Sequence, residues 1–150
     1  MGLDMYLTAK RYIDRAERMK LSVVFPKECW ELLKVDPQHL EAITIEVMYW
    51  RKVNAIHAWF VKNCQEGVDD CRSAHVPRER LAQLQHEIEV VLEDKRKAGG
   101  ILPTQTGFFF GGEEYDVYYF EELERTAKEL KRILEDPKYG EYEFQYQSSW

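Results

Sequence analysis

Apolar and polar positions along this chain repeat at two periods, and each change of period marks an element. Leu3, Met5 and Leu7 alternate with Asp4, Tyr6 and Thr8, which predicts a strand beginning almost at residue 2. Alternation returns in AITIEVMYW, with Ile43, Ile45, Val47 and Tyr49 on one face and Thr44, Glu46, Met48 and Trp50 on the other. At Arg51 the period turns helical: Val53, Ile56, Phe60 and Cys64 share a face, predicting a helix over 51–65. Pro77 opens a second helix, over 77–96, with Leu81, Leu84, Ile88, Val91 and Leu92 as its apolar side and Gly99-Gly100 as its stop. A third, over 116–135, carries Phe120, Leu123, Ala127, Leu130 and Leu134 and ends at Asp136-Pro137. Tyr142, Phe144, Tyr146 and Trp150 then alternate and return the chain to the sheet.

Two stretches follow neither period. In residues 14–38, DRAERMK reads as a charged turn or short helix. Pro26 opens KECWELLK with Trp30 and Leu33 as an apolar edge, and Pro37 closes it. This segment reads as a variable insertion between two strands. ILPTQTGFFFGGEEYD is punctuated by Pro103, Gly107, Gly111 and Gly112, and its three consecutive Phe residues cannot all enter one core from a strand. The whole predicts a single α+β domain over residues 1–150: a small, mostly antiparallel sheet with about three amphipathic helices packed on one face.

Composition narrows the function classes. A net charge of −6 argues against a general electrostatic grip on nucleic acid. No run of eighteen apolar residues is present to span a membrane, and MGLDMYL is not a signal peptide. Three cysteines, Cys29, Cys64 and Cys71, without metal-ligand spacing read as free thiols, which places the protein in the cytoplasm. No CxxC or HxxxH pair occurs, and neither a metal nor a cofactor is expected.

The candidate site lies where the second strand hands over to the helix. Tyr49 and Trp50 offer no side-chain cap, and Arg51 and Lys52 stand at the positive end of the helix dipole. A bound anion answers both problems; so does a carboxylate of the chain itself, with Asp4, Glu46 and Asp116 as candidates. Asn54 and His57 continue a polar strip along the helix, and Thr104, Phe109, Tyr115 and Tyr119 are the residues that the glycine-rich loop and third helix could add. That loop reads either as a stacking surface for a ligand or partner or as a plug in the core. A hydrolase or transferase is the alternative, with His57 as general base and Asp69 or Asp70 assisting, provided these come within hydrogen-bond reach.

MGLDMYL, YWRKVNAIHAWF, GVDDC, LPTQTGFFFGGEEYD and YQSSW run from one end of the chain to the other. Together they resemble a family of small proteins of tailed bacteriophages and prophages, for which no activity is established. Residues 14–38 fall outside the likeness. The resemblance implies a cytoplasmic accessory protein that modulates the host. The preferred reading is a non-enzymatic binding protein for a small anionic, nucleotide-like ligand or for a host protein, with homo-oligomers and an assembly role left open.

Overall fold

The N-terminal alternation becomes β1 (Asp4–Tyr12), and in the computed structural model, which describes residues 2–150, it lies inside a four-stranded antiparallel sheet. Its neighbours are β2 (Ala42–Arg51) and β4 (Glu143–Ser149), and β3 (Ala74–Val76) pairs with the far side of β4, giving the order β2-β1-β4-β3. Met5, Leu7 and Ala9 of β1, Phe144 and Tyr146 of β4 and Val76 of β3 are buried, as one face of a pleated sheet requires. Against them pack α3 (Asn54–Cys64), α4 (Arg78–Glu93) and α6 (Val117–Glu135), as expected for an α+β fold. Between them the chain also forms α1 (Arg15–Val24), α2 (Lys27–Leu33) and the single turn α5 (Ala98–Ile101). Among the described residues no helix is long and apolar enough to cross a membrane.

β2 does not keep one alternation. Leu7 pairs with Met48 but Thr8 pairs with Glu46, so Val47 is an extra residue in the ladder. A bulge of this kind shifts the inward side by one position. Before it Ile45 pairs with Ala9 but stays exposed at the sheet edge; after it Met48 and Trp50 are buried, and Tyr49 turns to the outer face opposite Tyr6. Trp50 closes the core by donating from Nε1 to Thr126 Oγ1 of α6 at 2.8 Å. Phe60 stacks on Tyr146 at 4.1 Å between ring centres. Burying each such ring stabilises the fold by roughly 1.5–3 kcal/mol.

Two helix boundaries differ from the periodic reading. β2 runs on to Arg51, Lys52 adopts a left-handed conformation (φ 58°) and Val53 is the N-cap, so α3 starts at Asn54 and not at Arg51. The cationic first turn expected there does not exist. The apolar stripe on α3 is also too narrow: Ala55, Ile56, His57, Trp59, Phe60 and Val61 are all buried, because the helix is wrapped by the sheet, α4 and the 101–116 loop. α4 ends at Glu93, where Asp94 accepts from the Arg96 amide to start a tighter turn. Gly99 and Gly100 consequently lie inside α5 instead of stopping α4.

Candidate functional site

The strand-to-helix corner is built from β2, the 101–116 loop and the start of α6. Tyr49 Oη donates to the Asp4 carboxylate, which holds the phenol above its ordinary pKa. Arg51 Nε stands 4.0 Å from Asp4 Oδ1, so of the three candidate carboxylates Asp4 answers it. Asp116 instead caps α6 by accepting from the Tyr119 amide, and Glu46 stays exposed on the edge strand. The corner is braced through main chain: Tyr118 Oη donates to the Arg51 carbonyl, Arg125 to that of Tyr49, and the Lys52 amide to that of Leu3.

Asn54 is fully committed to the loop. Its Nδ2 donates to the carbonyls of Phe110 (3.1 Å) and Gly112 (2.8 Å), and its Oδ1 accepts from the Gln105 amide at 3.0 Å. The loop turns on two glycines. Gly111 has φ 90°, and a Cβ on Gly107 would lie 2.4 Å from the Phe110 ring. Phe110 is thereby plugged into the core, Phe109 is half-buried, and Phe108 is 95% exposed. The plug reading of this loop holds for Phe110, while Phe108 stays on the surface.

Lys52, Asn54, Thr104 and Tyr119 do meet around one cleft, bordered also by Glu114, Asp116 and Tyr118. Its volume is about 50 Å³, enough for a water molecule and little more. Thr104 Oγ1 is spent on the Glu113 carbonyl and Tyr119 Oη on that of Leu102. Tyr115 packs edge-on against Tyr119. Tyr49 and Arg51 lie away from this cleft on the outer sheet surface. The residues singled out at the corner are therefore drawn together in part, and the part that meets is closed by its own hydrogen bonds.

His57 belongs to a different cluster. Its ring is completely buried, with Nδ1 2.7 Å from Tyr146 Oη and Nε2 2.9 Å from Asp69 Oδ2. The loop after α3 folds back through Gly67 (φ 77°) and is clamped by Gln65 and Arg72, which exchange hydrogen bonds with each other's carbonyls. That brings Asp69 within reach; Asp70 turns away to Arg72. With Nε2–H donating to the Asp69 carboxyl oxygen, Nδ1 is left to accept the Tyr146 hydroxyl. Burial, then the Asp69 charge, raises the Tyr146 pKa and keeps that hydroxyl protonated. Trp150 Nε1 donates to the other Asp69 oxygen at 3.1 Å. Both imidazole nitrogens are occupied and the ring presents no surface to a substrate. Burial pushes the Cys64 thiol up to about 11, so it carries no thiolate near neutrality. Among the described residues no group of three or more His, Cys, Asp or Glu comes together as a metal site would need.

A larger concavity lies elsewhere, between α3, α4 and residues 100–103. It measures about 500 Å³, within the range of small-molecule sites. Ala55, Ala58, Trp59, Val90, Ile101 and Leu102 give it an apolar floor, and Lys62 and His86 stand at its mouth. Glu87 is already used: its two oxygens accept from Trp59 Nε1 and Gln83 Nε2, each at 2.7 Å. Asn63 Nδ2 donates to the Trp59 carbonyl, and the Lys62 ammonium and the His86 imidazole have no ion-pair partner among the described residues. Sequence reading missed this groove because its lining comes from the flanks of two helices. The one available signal was the pair Ala55 and Ala58, small residues on one face that leave room over Trp59.

No family model, curated protein or solved structure matches the chain.

Proposed function

We propose that the protein is a non-enzymatic binding protein whose α3–α4 groove seats a small amphipathic anion, an aromatic or alkyl carboxylate. The observation that carries this reading is the meeting of a 500 Å³ apolar-floored groove with an unpaired ammonium at its mouth. An apolar body covers Trp59 and Leu102 while a single negative head reaches Lys62, with His86 beside it. Glu87 does not repel that head at full strength, because the indole and amide donors already satisfy its carboxylate. The small-anion reading of the sequence is kept, and its location moves from Arg51 to Lys62. The hydrolase alternative is weaker: His57 and Asp69 have the contact it needs, but the imidazole is fully buried and both its nitrogens are taken. The resemblance to phage and prophage proteins supports an accessory role in the bacterial cytoplasm, where holding a small host metabolite would modulate the cell.

Calorimetric titration with 2-naphthoate, and with the uncharged 2-naphthalenemethanol as control, tests this. The carboxylate should bind at one site and the alcohol roughly tenfold more weakly, the worth of one charge-assisted hydrogen bond. Lys62→Gln should erase that preference, and Ala58→Trp, which fills the groove, should abolish binding without altering the fold. Undiminished binding by the Ala58→Trp protein would overturn the assignment.

A further inference from the structure

The insertion between β1 and β2 is an ordered arm that covers nothing. An Asp14–Glu17 capping box starts α1, Arg18 reaches the Gln38 carbonyl, and Phe25 packs edge-on against Trp30 at 5.6 Å. Yet no residue of α1 or α2 is buried. Val23 is 84% exposed and Leu32 82%, and Met19, Val24 and Leu33 are each exposed by more than half. Helices of ten and seven residues are marginal by themselves in water and draw their stability from packing of an apolar face. This chain does not supply that packing.

We infer that the arm of residues 14–39 is the surface through which two copies of the chain pair. The first ground is area. Each exposed aliphatic side chain offers about 60–120 Å² of apolar surface, so the five named, with Phe25 and Val35, offer on the order of 500 Å² per copy. A pair of arms then buries about 1,000 Å² before its polar rim is counted, which is the threshold for a specific interface.

The second ground is charge. The whole chain carries −6, but residues 14–39 are balanced, with Arg15, Arg18, Lys20, Lys27 and Lys34 against Asp14, Glu17, Glu28, Glu31 and Asp36. Two bodies of like charge therefore meet at a region that is neutral and carries both signs. A two-fold axis can set the cations of each arm against the acids of the other. A foreign partner chosen by charge would find no sign to read there. The arm also leads directly into β2, an edge strand with Ile45 exposed, so the paired surface can extend along the open edge of the sheet.

Sedimentation equilibrium over about 1–100 µM, the range of ordinary reversible dimers, tests the inference. The wild type should sediment at twice the monomer mass in the upper part of that range. Val23→Glu with Leu32→Glu should be monomeric throughout, with unchanged circular dichroism, because both side chains point to solvent in the single chain. Val23→Ile with Leu32→Met should still dimerise. A wild type that stays monomeric at 100 µM overturns the inference and leaves the arm to another kind of partner. A dimer that survives the double Glu substitution overturns it too, by placing the interface elsewhere.

Discussion

His57 Nε2 lies 2.9 Å from Asp69 Oδ2, joining the buried helix α3 to the loop that follows it. The same ring holds Tyr146 of β4, and the same carboxylate holds Trp150, so one pair ties helix, loop and C-terminal strand together. Asp69→Ala should leave a buried ring nitrogen unpaired and cost roughly 1–3 kcal/mol. For a domain of this size the melting temperature should fall by about 2–4 °C per kcal/mol. Thermal melts of Asp69→Ala and Tyr146→Phe check this, and an unchanged melt for both would mean that the pair carries no structural weight.

Arg51 and Asn54 are three residues apart and should respond oppositely to removal. Arg51 has a side chain 59% exposed, and among the described residues its only ion pair is a 4.0 Å contact with Asp4, so Arg51→Ala should cost under about 1 kcal/mol. Asn54→Ala severs three hydrogen bonds to the 105–112 segment and should cost several times as much. Urea titration gives the two values. Hydrogen exchange should show the Gln105 amide losing protection in the Asn54 variant alone.

β4 is an interior strand, bonded to β1 on one side and β3 on the other. Deleting the chain from Glu143 onward removes Phe144 and Tyr146 from the core and strips β3 of the strand it pairs with. The truncated protein should lose its cooperative melt. A sigmoidal transition near the wild-type temperature would contradict the strand order.

Alkaline pH should destabilise the protein. Cys64 is raised from about 9 to about 11 in the folded state by burial, so its contribution is fully present below pH 9 and is lost as pH rises towards about 11. Tyr119 and Tyr146 are raised by burial as well and act with the same sign. Urea midpoints measured across this window should fall, and the fall should be shallower in Cys64→Ala. A midpoint independent of pH would show that these groups are not desolvated.

The periodicity of the chain was enough to place β1, β4, α4 and α6 and to give the fold class, because each buries one face and each face repeats at its own period. On β1 the inward set is the alternating Met5, Leu7 and Ala9 of the sequence, and α4 buries Leu81, Leu84, Ile88 and Val91 of its expected stripe. Where a segment is enclosed on several sides, period carries less. α3 buries polar Asn54 and His57 beside its apolar residues, and nothing local distinguishes a side chain held by a distant loop from one held for a ligand.

Tertiary structure alone decided the rest. The bulge at Val47 depends on how β2 registers against β1, and one extra residue there exchanges the faces of the strand. The left-handed turn at Lys52 moves the helix start past the two cations on which an anion site at the corner depended. Asp69 reaches His57 because the chain doubles back at Gly67, a contact that helical spacing alone would place out of range. The α3–α4 groove is a property of two helix flanks at a particular separation, so no single stretch of sequence encodes it. Local pattern reports which face of an element avoids water, and only the packed chain determines what that face meets.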